Sequence, residues 1–287
     1  MIISLVFILL NYFGVRHSTT LNNVLVLVKI AILIFFVALG VGYLNTNHFT
    51  PFAPNGFSGV LQGSSLIFFA YAGFARIAIM AEEVKDPRRT IPRSLVLSLG
   101  ISMVIYVLVS FVGIGLVGYV GLSTTGSPLA EATKVTGNHY AVFLVSLGAL
   151  VATASVLLTT VLGVSRVTFA MARENDLPNV LSKLHAKYKT PYLAIWISGT
   201  LIIVATVFAN LNQVIAISNF ASLLYYSIAN VAALRLRGKI RRYSNIVPAI
   251  GLLSCLSLLV FLKLDGWLVG MIGVGLGTVY YRIFHRR

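Results

Sequence analysis

Few residues in this chain can do chemistry, and most of those lie inside apolar runs. The richest stretch runs from Gly63 to Arg76 and reads GSSLIFFAYAGFAR. Gly73 sits near the middle of the span this stretch belongs to. A glycine there serves either close helix packing or a break in the helix. A break frees backbone N–H and C=O groups, which a membrane tolerates only where they line a cavity or bind something. Phe68, Phe69 and Tyr71 cluster beside it. They are packing in an unbroken helix, and next to a break they can gate a substrate.

Lys29 lies in another apolar run, about two helical turns after Asn22. A lysine in hydrocarbon is costly unless it is paired, neutral or reaching back to the headgroups. It is either such a snorkelling side chain or a buried amine that gains and loses a proton. Thr159 and Thr160 are adjacent hydroxyls in a further run. They either bond back to their own helix or face a cavity and coordinate a cation. Arg76 and Arg166, near the inner ends of spans, suit snorkelling or pairing with Glu82 or Glu83. Cys255 stands alone in an apolar stretch, and no Cys/His cluster suggests a metal site. No metal and no cofactor is expected.

The elements that must hold these residues are membrane helices. The chain has 287 residues, of which 58% are hydrophobic and 10% charged, against roughly 25% charged in a soluble domain. Its mean hydropathy is +0.92. So little polar surface cannot cover a water-soluble protein. Apolar windows predict eight spans near residues 20–44, 57–80, 94–120, 140–172, 191–209, 213–234, 246–262 and 264–283. Met1 to Leu10 is a shorter apolar run, read as the tail of a longer helix. Residues 121–139 are predicted as an external loop and 173–190 as an internal one. Leu177 to Leu184 is predicted as a short interfacial helix.

The formal net charge of +15 follows topology. Of the 22 Lys and Arg, 17 fall in alternate connections, only Lys134 and Lys263 in the opposite set, and Lys29, Arg76 and Arg166 within spans. The basic connections and the C-terminus are therefore expected in the cytoplasm, in a multi-pass protein of the cell membrane. No continuous basic face exists to follow a nucleic-acid backbone, so no nucleic-acid partner is expected. No Gly-rich phosphate loop, HExxH or GxSxG is present, and an enzyme is not expected.

Three stretches resemble amino acid–polyamine–organocation (APC) permeases. FFAYAGFARIAIMAEEVKDPRRTIPRSL, residues 68–95, resembles their sixth helix and following loop. LGVSRVTFAMARENDLPNVLSKLHAKYKTPYLAI, residues 162–195, resembles the eighth helix and next loop, and NYFGVRHSTTLNNVLVLVKIAILIFFVALG, residues 11–40, the approach to the fifth. The resemblance implies an all-α, polytopic membrane bundle with two inverted five-helix repeats and two trailing helices. Residues 1–13 would then end helix four, 20–44 form helix five, 57–234 the complete second repeat, and 246–283 the last two helices. About four helices of the family pattern would be absent from the N-terminal side.

The resemblance also implies roles. The sixth helix would unwind at Ala70, Tyr71, Ala72 and Gly73, where backbone groups help bind the substrate's amino group, and Phe69 would be the gating aromatic. Lys29 resembles a fifth-helix lysine that replaces sodium in proton-coupled members, and Thr159 and Thr160 fall near the cation-site hydroxyls of the eighth helix. Where many members carry an acidic residue, this chain has Ala75. The expected function is secondary active transport of amino acids, coupled to protons through Lys29. The partners are an amino acid, protons and membrane lipids. The rival expectation is an incomplete, non-transporting permease fragment or a membrane subunit.

Overall fold

A computed structural model describes residues 2–13, 15–75, 84–208, 211–236, 244–262 and 264–284. Within them the regular elements are all helical. The α-helices are α1 (Ile2–Phe13), α2 (Val15–Gly40), α3 (Gly56–Tyr71), α4 (Pro87–Ser123), α5 (Pro128–Lys134), α6 (His139–Arg173), α7 (Tyr192–Phe208), α8 (Leu211–Arg235), α9 (Ile246–Val260) and α10 (Leu264–Phe284). Among the described residues, five helices are long and apolar enough to cross a membrane: Thr19–Tyr43, Gly56–Phe74, Pro87–Ser123, His139–Arg173 and Gln213–Arg235. Three shorter apolar helices are Ser4–Phe13, Tyr192–Val207 and Ile246–Val260. The protein is a polytopic bundle of membrane helices.

The helices group into two compact units that ignore chain order. One unit holds Met1–Phe52 and Arg76–Val207, the other Ala53–Ala75 and Phe208–Arg287. In the first, α2 packs along α6, and α4 and α5 close over them. Ile32, Phe36, Val112, Leu116, Ala132 and Val145 form its main core. In the second, α8 is central, with α3, α9 and α10 packed on it. Phe220, Leu223, Cys255, Leu259 and Leu262 form that core. Gly266 and Gly270 let α10 approach α8, since a Cβ on Gly270 would overlap the Phe220 ring.

Local sequence explains most helix ends. Asn138 caps α6, its side chain accepting from Ala141 N at 3.1 Å, a contact of about 1 kcal/mol. Pro87 and Pro128 open α4 and α5, where the missing N–H is no loss. Gly118 interrupts α4 with φ +72°, a value open to glycine. α6 has 35 residues, about 52 Å at 1.5 Å per residue, so it outruns a hydrocarbon core of about 30 Å.

Two expectations need correction. The external connection 121–139 is not simply a loop: α4 continues to Ser123 and α5 adds two turns. α5 forms because Ala132 and Thr133 bury almost completely against the unit. The predicted interfacial helix Leu177 to Leu184 reduces to one 3-10 turn, Asn179–Ser182, because Pro178 restricts the residue before it and leaves too short a run. The helix at the start carries on past the polar Asn11. α1 continues to Phe13 with Asn11 buried, its Nδ2 donating to Phe7 O (2.9 Å) and Leu158 O (3.3 Å). Arg76, Glu82 and Glu83 lie outside the described residues, and with them the expected pairing.

Candidate functional site

In the second unit, α-helical geometry ends at Tyr71 and gives way to a 3-10 turn over Ala72–Ala75. Ala72 N–H bonds back to Phe69 O, three residues earlier. The chain changes helix type at the Ala70–Gly73 stretch. Gly73 is exposed, and a Cβ on it would meet no atom within 4 Å. Close packing therefore does not account for this glycine among the described residues.

The neighbouring phenylalanines point opposite ways. Phe68 packs on the α8–α9 core and meets Tyr226 edge-on, with ring centroids 6.0 Å apart. Phe69 is 41% exposed, on the same open face as Ala70 and Gly73. Tyr71 and Ala72 are half-buried. The face that carries Phe69 and Gly73 is thus exposed, and the opposite face is anchored.

The anchors were not singled out from sequence. Asn219 of α8 is fully buried and donates from Nδ2 to Ser65 O at 2.9 Å. Its Oδ1 has no hydrogen-bond partner among the described residues. Seven residues further along both helices, Tyr226 Oη reaches Ala72 O at 3.5 Å, a long contact. Its ring stacks on Phe74 at 5.3 Å with a 9° tilt. Ser65 is itself buried and donates to Leu258 O at 3.2 Å. α3 is therefore held on both sides of Phe69 by a parallel helix. A cavity of about 400 Å³ lies one turn before it, lined by Ser58, Gln62, Ser65, Ala216 and Val260–Leu262. The polar Asn219 inside an apolar helix was the available signal. Nothing local marked Tyr226.

Lys29 belongs to the first unit. It is half-buried on α2 and lines a mostly apolar cavity of about 490 Å³ with Ile32, Leu33 and Phe36 of α2, the start of α5, and Ser146, Ala149 and Ala152 of α6. No hydrogen bond or ion pair engages its ammonium among the described residues. The two ion pairs there are Arg89–Asp86 and Lys134–Glu131.

The threonines are elsewhere along the same helix pair. α2 and α6 run antiparallel, with Ser155 Oγ donating to Asn22 Oδ1 at 2.8 Å and Ile32 against Gly148. That register sets Lys29 level with residue 150, about nine residues or 14 Å along α6 from Thr159. Thr159 Oγ1 donates to Ser155 O and Val156 O, both at 3.0 Å, and Thr160 Oγ1 to Val156 O at 2.7 Å. The hydroxyls bond back to their own helix, and the structure does not bring them to Lys29. Lys29 is instead level with Ala149 and Ala152. Among the described residues no group of three or more His, Cys, Asp or Glu is placed to hold a metal.

Comparison with known proteins bears on the whole chain. A family model for amino acid permeases matches residues 1–277. An uncharacterized transporter of Mycobacterium tuberculosis is 37% identical over 282 residues, covering 96% of this chain and 64% of that relative. The methylthioribose transporter of Bacillus subtilis is 32% identical and its branched-chain amino acid permease 29%, each covering 96% of this chain and 61% of the relative. The chain thus spans less than two thirds of the length of these relatives.

Proposed function

The chain belongs to the amino acid permease family, and on that premise we propose that it acts in secondary active transport of an amino acid or a chemically related small molecule, coupled to protons through Lys29. The observation that carries this reading is the end of α3. A helix apolar enough to cross a membrane changes geometry at Ala72 and keeps Phe69, Ala70 and Gly73 on an open face. A change of helix type inside a membrane span is a place where backbone carbonyls and N–H groups can reach an ammonium or carboxylate. Phe69 supplies the covering aromatic. Ala70 and Ala72 leave an uncharged wall, which favours a substrate with a neutral side chain. The relatives' named cargoes, methylthioribose and branched-chain amino acids, fit such a wall.

Lys29 supplies the proton step. Lys29 lines a mostly apolar cavity and meets no carboxylate among the described residues, so a proton carried there is not held by an ion pair. Coupling follows if proton and substrate favour the same conformation. Thr159 and Thr160 then serve α6 by bending its carbonyls, or coordinate a cation at a level of their own, inward of Lys29. In this reading residues 57–234 form one five-helix repeat, 246–283 the trailing pair, and the basic connections face the cytoplasm of a cell-membrane protein.

The test is uptake of labelled amino acids and methylthioribose into proteoliposomes under an imposed pH gradient. The expected result is uptake that rises with inward proton flow and loses that dependence in Lys29→Ala. Undiminished pH-dependent uptake in the variant removes Lys29 from the proton step. Absence of uptake by this chain, with uptake restored by adding the N-terminal part of a relative, favours the reading of a non-transporting fragment or subunit.

A further inference from the structure

The connection between α6 and α7 folds around His185. Its Nδ1 lies 3.2 Å from both Lys187 N and Tyr188 N. Backbone N–H groups only donate, so Nδ1 accepts both bonds and the ring proton sits on Nε2. The turn closes on itself through His185 N to Thr190 O at 2.8 Å and Lys189 N to His185 O at 3.0 Å. Lys189 completes it with φ +53°. Thr190, buried, then donates from Oγ1 to Tyr12 O at 2.8 Å, tying the turn to the last residues of α1. The imidazole stacks on Tyr188 at 4.9 Å and meets Tyr12 and Tyr192 edge-on at 5.2 and 6.1 Å.

We propose that this turn is a proton-sensitive latch, which fastens the α6–α7 connection to the end of α1 while His185 is neutral and releases it when the ring gains a second proton. The second proton can only go on Nδ1. There it would point at two N–H groups that already donate to that nitrogen, and both bonds would be lost. Among the described residues, the groups facing the ring include no carboxylate that would hold the cation in the closed turn, and only aromatic contact is left to it. They are Tyr12 of α1, Tyr192 of α7, Tyr188 in the turn, and Lys187, whose ammonium sits over the Tyr188 ring at 5.4 Å. Lys183 and Lys189 flank the turn, and the connection's carboxylates, Glu174 and Asp176, sit at its start on the end of α6.

His48, in the connection after α2, makes the opposite choice. Its Nδ1 lies 3.0 Å from Gly115 O, a carbonyl that only accepts. That bond needs the proton on Nδ1 and survives a second one on Nε2. The two histidines therefore separate in their response to acid: the His48 tie holds and the His185 turn opens. The sign follows from proton count. The closed latch binds one proton fewer than the open one, so closure is complete at the higher pH and is lost as pH falls.

The test is hydrogen exchange of the detergent-solubilised chain from about pH 7.5 to about pH 5.5, the range in which imidazole changes charge. Rates are corrected for intrinsic exchange. Protection of the Lys187 and Tyr188 amides is expected to fall at the acid end by about tenfold per pH unit, while that of Asn45, bonded to Gly115 O at 2.9 Å, stays level. His185→Asn keeps a side-chain acceptor for the N–H groups two and three residues on, as in an Asx turn, and is expected to stay protected throughout. His185→Ala is expected to be unprotected throughout. Protection in the unaltered chain that does not change with pH overturns the latch, as does a His185→Asn variant with the same acid response. Nitrogen NMR of His185 decides independently of any variant, because a protonated Nδ1 at the upper pH contradicts the proposed tautomer.

Discussion

Gly148 of α6 and Gly73 at the end of α3 are the same residue in two apolar helices, and they do opposite work. A Cβ on Gly148 would lie 2.6 Å from Ile32 Cγ2, while one on Gly73 would meet nothing within 4 Å. The first glycine lets two unbroken helices touch, with Asn22 and Ser155 bonded about two to three turns away. The second sits where a helix changes type and leaves a face open. The first unit thus invests its small residues in packing and presents a side-chain charge, Lys29, to a cavity. The second presents a change of helix type with Phe69 and Gly73 exposed. The proposed carrier, which would bind a zwitterion and move a proton, calls on both features, and each has its own scaffold.

Substitutions can break or sharpen that contrast. Gly148→Leu is expected to have the largest effect on stability, about 1–3 kcal/mol from overpacking against Ile32, read as a lower melting midpoint. Unchanged melting would mean that α2 and α6 are not in close contact. Tyr226→Phe removes one long hydrogen bond and keeps the Phe74 stack. Its expected cost is at most about 1 kcal/mol in stability, with a clearer change in substrate affinity because Ala72 O loses its tie. A large unfolding effect with unchanged binding would reduce Tyr226 to packing. Ser155→Ala removes the interhelical bond to Asn22 and should cost about 0.6 kcal/mol, the average for such bonds in membrane proteins. A loss of several kcal/mol there would make that polar tie, not the glycine contact, the main fastening of α2 to α6.

The five long spans were legible because a window of apolar residues is enough to mark a helix in hydrocarbon. The end of α3 was legible as an alternative, since a glycine among aromatics allows either packing or a break, and only the surrounding space decides. What stayed hidden depends on distant pairs. Asn22 meets Ser155 across 133 residues, and Asn219 meets Ser65 across 154. No local pattern encodes those registers. The level of Lys29 relative to Thr159 and Thr160 stayed hidden for that reason, because the α2–α6 register sets it. α5 was missed because seven residues fall below any spanning window. Its helix is stabilised by burial of Ala132 and Thr133 rather than by length.

The central claim, that the open face at the end of α3 receives the substrate, is tested most directly by ligand-induced thermal stabilisation. The unaltered chain and Gly73→Leu would be compared across the twenty amino acids and methylthioribose. The space around Gly73 predicts equal melting without ligand, within about 0.5 kcal/mol. At least one ligand should stabilise the unaltered chain, and the leucine should weaken its binding by about tenfold or more, which is about 1.4 kcal/mol. Equal stabilisation of both proteins by the same ligand would place the substrate elsewhere and contradict the account.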